Sequence, residues 1–261
     1  MKVICIGNYP PRQCGIATFT ENLVNVIRYS AAKTSNHFEL EVIAMNDSNQ
    51  SYDYPPIVRN FIPDKSHDAY TKMADYVNHS GADILLLQHE YGIYGGESGV
   101  LLLGLLRRIK IPIVTTLHTV LLRPSFHQKE VLKKITELSS KVVIMNNMAI
   151  DFLTEIYGVP KQKIIRIEHG VPDFEANSNQ LIAPPEDWNN RKVMLTFGLI
   201  GRSKGIETVI KALPDIVTEH PEVLYVVLGK THPSIVKHAG EEYREYLHDL
   251  VHKLKLENNV V

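Results

Sequence analysis

The chain has 261 residues, 44% of them hydrophobic and 22% charged, which is the balance of a soluble globular protein rather than of a disordered or fibrous one. A net charge of −1 gives it no electrostatic footprint for nucleic acid, and two cysteines make neither a disulfide framework nor a metal centre. We therefore expect one large or two modest domains, with no nucleic-acid partner and no metal site.

Apolar runs of the sequence are short. Val3–Ile6 is far shorter than the apolar core of a secretory signal peptide and ends in turn residues. Gly99–Leu106, the most apolar later run, is too short to cross a bilayer, which takes about 20 residues. The sequence therefore predicts a cytoplasmic protein without a transmembrane segment.

Apolar runs alternate with segments of helical periodicity along the first 170 residues. The runs predict strands at Val3–Ile6, Leu40–Ala44, Ile84–Leu87, Ile113–Thr116, Val142–Met145 and Ile164–Ile167. The segments between them predict helices at Thr18–Ala31, His67–His79, Ser98–Ile109, Ser125–Ser139 and Asn147–Tyr157. Thr18 and Glu21 stand at capping-box spacing in the first of these helices. Uninterrupted apolar strands in this alternation are typical of a doubly wound α/β fold with a parallel sheet.

Residues 171–191 lose the periodicity and gain proline and asparagine, and we interpret them as a linker between domains at 1–170 and 192–261. The second domain repeats the pattern, with strands at Val193–Phe197 and Leu224–Leu228 and helices at Ile206–Leu213 and Ser234–Leu254. The last residues, "NNVV", look like the opening of another strand. Two strands with their helices do not complete a covered sheet, so we expect this domain to be partial. Its unpaired edge predicts self-association or docking of another polypeptide.

Ligands of open α/β sheets bind beyond the carboxyl ends of the strands. Glycine-rich loops there let the backbone approach a ligand, and helix N-termini offer N–H groups to an anion. The corresponding loops of this sequence are 7–15, 88–96, 117–124, 198–205 and 229–233. The loop after Gly7 lacks the G-x-G-x-x-G fingerprint of a dinucleotide-binding oxidoreductase, and Gly229–Thr231 lacks the upstream glycine of a P-loop.

The segment "GLIGRSKGIETVIKAL" carries two cations in the turn between a strand and a helix. Arg202 and Lys204 follow a strand that ends at Gly198, and the helix after them has one apolar face. Two cations beside helix N–H groups suit a diphosphate, since arginine offers a fork of donors and lysine a point charge. A pair of solvated cations on a surface turn is an equally open interpretation.

Residues 198–213 resemble the donor-binding motif of group 1 (family 4) glycosyltransferases, which runs from a strand through glycine and Lys-Gly into a helix. Residues 225–247 resemble one bacterial subgroup of that family. Pro10–Leu23 is similar to its first glycine-containing loop, and Ile167–Pro172 to its turn before the linker. The resemblance covers almost the whole chain and implies a GT-B fold. In that fold two Rossmann-like domains face each other across a cleft, the first on the acceptor side and the second, here partial, holding the nucleotide sugar.

The resemblance also implies roles for individual residues. Lys204, with Arg202, would hold the donor diphosphate, and the backbone at Gly15 and Ile16 would approach the phosphate or sugar from the other domain. His118, at a strand end, would be the catalytic residue close to the transferred sugar. The residues expected to contact the acceptor are Arg12, His89, Glu90 and Tyr91.

The activity that the resemblance implies is retaining hexosyl transfer from a GDP- or UDP-linked sugar to a saccharide or glycan, with no metal and no other cofactor. The subgroup suggests mannose as the sugar. Leu199 stands where the family carries arginine, and the paired-glutamate motif of the family has no counterpart in the sequence, since Glu241 and Glu242 are adjacent on a polar helix. We therefore expect the 261-residue chain to be inactive, or nearly so, by itself.

Other functions are left open by the sequence. A non-catalytic sugar-nucleotide-binding or assembly subunit is the alternative from another class. Sugar-phosphate synthases of the same family and epimerases of the same fold are also compatible with these motifs.

Overall fold

The computed structural model describes residues 1–34, 37–48, 50–171, 183–231 and 233–261. The chain divides into two compact units, Met1–Pro172 and Asp173–Val261. Among the described residues, no helix combines the length and the apolar character that crossing a membrane requires. Most of the predicted linker lies outside the described residues.

In its described residues the first unit has seven strands and five α-helices. The strands are β1 (Lys2–Gly7), β2 (Glu39–Asn46), β3 (Val58–Pro63), β4 (Ile84–His89), β5 (Ile113–Leu117), β6 (Lys141–Ile144) and β7 (Ile164–Arg166). The helices are α1 (Gly15–Thr34), α2 (His67–His79), α3 (Leu102–Leu106), α4 (Phe126–Leu138) and α5 (Met148–Glu155).

These strands form one parallel sheet in the order β3-β2-β1-β4-β5-β6-β7. Val3 of β1 pairs with Leu40 on one side and with Ile84 on the other. The predicted doubly wound α/β fold is therefore confirmed. The strand order reverses between β1 and β4, and the carboxyl ends of those strands are where such sheets bind ligands.

Both faces of the sheet are buried, which explains the uninterrupted apolar strands of the sequence. Ile4 and Ile6 of β1 pack on the face that α2 and α3 cover, while Cys5 packs on the opposite face with Val24 of α1. Burial raises the pKa of the Cys5 thiol to about 12, so this cysteine is an inert core residue.

β3 was not predicted, because its sequence lacks the pattern of a buried strand. It is an edge strand that pairs with β2 alone in the described sheet, and Ile62 is its buried residue. Arg59 faces outward, and Pro63 ends the strand, which an edge position tolerates.

The first helix begins earlier than the sequence suggested. The carbonyl of Cys14 accepts hydrogen bonds from the N–H groups of Ala17 and Thr18, at 3.1 and 3.3 Å. The Cys14 sulfur also accepts from the Ala17 N–H, at 3.3 Å. Cysteine thus occupies the capping position, and the capping-box interpretation of Thr18 is wrong because Thr18 lies inside the helix.

The predicted helix Ser98–Ile109 is also shorter than expected. Ser98 and Gly99 have φ angles of 54° and 79°, which a continuous helix does not allow. The α-helix therefore covers only Leu102–Leu106.

The second unit has two parallel strands and three α-helices in its described residues. They are β8 (Lys192–Phe197), β9 (Val223–Leu228), α6 (Ile206–Glu219), α7 (Pro233–Ala239) and α8 (Glu242–Lys253). The predicted single helix at 234–254 is broken at Gly240, whose φ is 60°. Val261 exchanges backbone hydrogen bonds with β9 at Tyr225 and Val227, and Val260 forms an isolated bridge with Tyr225.

Gly95 provides a test of the packing in the first unit. Its N–H donates to the Tyr70 hydroxyl at 3.0 Å, and that hydroxyl donates to the Asp64 carbonyl at 3.1 Å. A Cβ added at Gly95 would lie 1.7 Å from this carbonyl oxygen. We expect Gly95→Ala to lower the free energy of unfolding, measured by urea denaturation, by ~1–3 kcal/mol or more.

Gly104→Ala is the matched control, because a Cβ there meets nothing within 4 Å and the position lies inside α3. It should leave the stability unchanged or raise it by up to ~1 kcal/mol. Equal effects of the two substitutions would contradict the packing described here.

Candidate functional site

Arg12 ties the loop after β1 to the end of β2. Its guanidinium donates to Asn8 Oδ1 at 2.6 Å, to the Met45 carbonyl at 3.3 Å and to Asp47 Oδ1 at 2.9 Å. Only 14% of the side chain is exposed. Arg12 therefore connects the two loops, and Asp47 matches its charge. The predicted contact of Arg12 with the acceptor stays a prediction.

The start of α1 leaves room for a ligand. The N–H groups of Gly15 and Ile16 make no hydrogen bond with the described residues. A Cβ added at Gly15 would meet nothing within 4 Å, so protein packing does not demand glycine there. Unpaired amides at the N-terminus of a 20-residue helix favour an anion or another acceptor. The predicted approach of this backbone to a ligand is sterically open.

His118 lies directly after β5 and is contacted by groups from β4 and from α1. Its N–H donates to the His89 carbonyl at 3.0 Å, and its Nε2 lies 3.0 Å from Gln88 Oε1. The Phe19 ring of α1 meets it edge-on, with centroids 4.7 Å apart. Burial, and then the charge that His169 can carry, lowers the pKa of His118 from 6.5 to about 4. The ring is therefore neutral at pH 7.

His89 lies beneath this site with no exposed surface. Its ring contacts Tyr91 edge-on at 5.1 Å and stacks on Tyr94 at 6.1 Å. Neither ring nitrogen has a hydrogen-bond partner among the described residues. Burial, and then His118, lowers the pKa of His89 to about 3. In this structure His89 offers no atom to a ligand, and the acceptor contact predicted for it remains untested.

Glu90 and Tyr91 form the turn after β4. The Glu90 carboxylate accepts from the Tyr91 N–H at 2.9 Å and from the Thr119 hydroxyl. The Tyr91 side chain is 8% exposed. Glu90 thus joins the turns that follow β4 and β5, and the acceptor contacts predicted for this pair stay predictions.

In the second unit, glycines bring the ends of β8 and β9 together. A Cβ at Gly229 would lie 1.8 Å from the Gly198 carbonyl oxygen, and Gly198 itself has a φ of 118°. The chain then makes a tight turn at Arg202–Lys204 and enters α6 at Gly205, whose φ of 62° favours glycine.

The two cations of this turn have different surroundings. Arg202 pairs with Glu242 at 2.8 Å and lies over the rings of Tyr243 and Tyr246, at 5.0 and 5.7 Å. The exposed Lys204 side chain makes no ion pair or hydrogen bond with the described residues. Lys204 is therefore the one of the two that can meet an anion without breaking an existing contact. The diphosphate role predicted for Arg202 stays a prediction.

Sequence reasoning missed three residues that surround His118, namely Gln88, Phe19 and His169. His169 contacts Phe19 at 5.1 Å, so an aromatic residue of α1 separates two histidines. Gln88 stands within a loop already singled out, but nothing in the sequence shows that it reaches the turn after β5. Among the described residues, no cluster of histidine, cysteine, aspartate and glutamate could hold a metal ion.

Comparison with protein-family models matches residues 178–261 to the family described as glycosyl transferases group 1. No curated protein matches the sequence. Among solved structures, a glycosyltransferase from Rickettsia africae ESF-5 is similar over 100% of this chain, with a TM-score of 0.65 and 18% identity. This chain covers 67% of that protein.

Two alpha-glucosyltransferase structures are also similar, each with a TM-score of 0.55. One was solved in complex with UDP-glucose and DNA containing an abasic site, at 15% identity over 95% of this chain and 60% of that one. The other was solved with UDP and a 13-mer DNA containing a HMU base, at 17% identity over 90% of this chain and 59% of that one. At these identities the likeness shows the fold, and it confirms the predicted GT-B type. The chain spans about 59 to 67% of the length of these three proteins.

Burial of His89 predicts a pH-dependent stability. Its folded pKa of about 3 lies below its unfolded value of 6.5, so the unfolded chain binds a proton that the folded chain does not. The stabilisation is complete above pH 6.5 and is lost as the pH falls towards 3. We expect His89→Phe to reduce the slope of unfolding free energy against pH by up to ~1.4 kcal/mol per pH unit between pH 6 and 4.

Urea denaturation of both proteins at several pH values measures this slope. At pH 8 the substitution should cost ~1–3 kcal/mol, because phenylalanine is larger than histidine and the position is fully buried. Parallel pH profiles of the two proteins would show that His89 takes up its proton in the folded state.

Proposed function

We propose that the protein transfers a sugar from a nucleotide-diphosphate donor to a saccharide acceptor, because residues 178–261 match the model of the group 1 glycosyl transferases. The single observation that carries this proposal is the glycine-rich turn that presents Lys204, without a partner among the described residues, at the start of α6.

Lys204 suits the chemistry of such a transfer. When the bond between the sugar and the donor phosphate breaks, negative charge grows on the departing diphosphate. A lysine ammonium at the positive end of a helix dipole stabilises that charge without a metal ion. The neighbouring Arg202 strengthens the local positive potential while its guanidinium stays paired with Glu242.

The first unit supplies groups suited to a sugar rather than to a phosphate cluster. His118 is neutral at pH 7, and the charge of Arg12 is matched by Asp47. The open space at Gly15 lets the start of α1 approach a hydroxyl or a single phosphate oxygen. His118 is the proposed contact to the transferred sugar.

The finer identity of the reaction is part of the proposal. We infer retaining transfer of a hexose, with mannose as the first sugar to test, from a GDP- or UDP-linked donor in the cytoplasm. Similar solved proteins bound UDP or UDP-glucose together with DNA. The net charge of −1 argues for an uncharged glycan as acceptor here rather than a nucleic acid.

A second candidate function is a sugar-nucleotide-binding assembly subunit without catalytic activity. One observation favours it, namely the exposed apolar side of β8, where Leu195 and Phe197 are 52% and 75% exposed. Exposed apolar surface of this kind is typical of interaction sites. Nucleotide-sugar binding with no turnover on any acceptor would support this candidate over the enzyme.

Titration calorimetry of the chain with UDP and with GDP tests the donor site. We expect one of the two to bind, and Lys204→Ala to weaken that binding about 10- to 100-fold, since a hydrogen bond to a charged group contributes ~1.5–3 kcal/mol. The matched control is Lys211→Ala, which removes the same charge from an exposed position further along α6 and should bind like the unchanged protein. Equal binding by the Lys204 variant, or no binding of either nucleotide, would overturn the assignment of this turn.

A further inference from the structure

We propose that Gln88 is a positioning residue: it holds His118 in the tautomer protonated at Nε2 and so leaves Nδ1 as a hydrogen-bond acceptor for a ligand hydroxyl. The identity of that ligand as a sugar rests on the proposed function, whereas the tautomer itself does not.

The geometry of the Gln88 amide is the first support. Gln88 is fully buried in β4, one residue before its end, and its Oε1 lies 3.0 Å from His118 Nε2. In this orientation the amide presents its oxygen, which can only accept a hydrogen bond, and we infer that Nε2 carries the proton. A neutral imidazole has one proton, and its other nitrogen, Nδ1, therefore holds a lone pair.

Two further contacts position His118. The His118 backbone N–H is fixed to the His89 carbonyl, and the Phe19 ring packs edge-on against the imidazole. Nδ1 makes no hydrogen bond with the described residues. Within the described part of the chain, this acceptor nitrogen is thus unused.

The charged and titratable groups around His118 favour a neutral ring. His89, the buried neighbour below it, is itself neutral at pH 7, and the charge that His169 can carry on the other side of Phe19 opposes a positive charge on His118. Glu90, the nearby carboxylate, is directed to the Tyr91 N–H and the Thr119 hydroxyl. Burial keeps the pKa of His118 at about 4.

An amide is well suited to this task because it orients the ring without charging it. A carboxylate in the place of Gln88 would attract a second proton to the imidazole, since an opposite charge within about 4–6 Å favours the charged form. Gln88 therefore keeps the His118 ring uncharged, with Nδ1 as a hydrogen-bond acceptor. The group that meets Nδ1 must be a donor, such as a hydroxyl, and an unprotonated phosphate oxygen is disfavoured.

The first test is the tautomer of His118 in the unmodified, ¹⁵N-labelled 261-residue chain. Long-range ¹H–¹⁵N correlation spectra distinguish a ring protonated at Nε2 from one protonated at Nδ1, and the spectrum of His118→Asn assigns the signal. We expect the Nε2-protonated form at pH 7. A ring protonated at Nδ1, or at both nitrogens, would overturn the proposal.

The second test compares Gln88→Glu and Gln88→Met with Gln128→Glu. Gln128 is a half-buried capping-box residue of α4, so its substitution makes the same chemical change away from the site. We expect Gln88→Glu to raise the pKa of His118 by at least ~1 unit and Gln128→Glu to leave it unchanged.

Gln88→Met, which keeps the volume without a polar group, should give a mixture of both tautomers. Gln88→Met also tests the role of Gln88 if the buried carboxylate of Gln88→Glu prevents folding. A single Nε2-protonated tautomer in Gln88→Met would refute the role of Gln88. None of these spectra needs a substrate, so their failure is separable from a failure of UDP or GDP to bind.

Discussion

A position without a side chain at the end of β1 governs the packing at the switch point of the first sheet. A Cβ added at Gly7 would lie 2.8 Å from the Gln88 Cβ and 3.4 Å from the Thr20 hydroxyl. Such distances mean that β1, β4 and α1 meet here with no spare volume. The absence of a side chain at Gly7 therefore leaves room for Gln88 beside β1, and Gln88 contacts the half-buried His118 ring beyond β5.

Much of the first unit could be predicted from the sequence, because strands of a parallel sheet are buried on both faces and read as continuous apolar runs. β4 and β5 were placed to within two residues on this basis. β3 could not be found, since an edge strand has one exposed face and buries little beyond Ile62. The start of α1 was missed for a different reason, namely that a cysteine caps it where Ser, Thr, Asp or Asn is the usual signal.

The candidate site was predictable only in part. Strand ends are visible in a sequence, and this places His118 and Lys204 beyond the ends of their strands. Side-chain contacts between distant segments are not visible, because they depend on reach and direction in three dimensions. The Gln88–His118 contact spans 30 residues, and the pairing of Arg202 with Glu242 spans 40. Both change what their residues can offer a ligand.

The electrostatics of each unit, considered by itself, follow from how its cations and histidines are held. In the first unit burial keeps His118 neutral and Asp47 matches the charge of Arg12, so the loops around His118 present hydrogen-bonding groups without an unmatched positive charge. In the second unit Glu242 occupies Arg202, while Lys204 lies exposed beside a helix start. A sugar needs directional donors and acceptors, and a diphosphate needs positive charge. Under the proposed function, the two units therefore meet different requirements of a nucleotide sugar. The first unit, in which Arg12 is paired and His118 is neutral, suits the sugar. The second unit, in which Lys204 is exposed, suits the diphosphate.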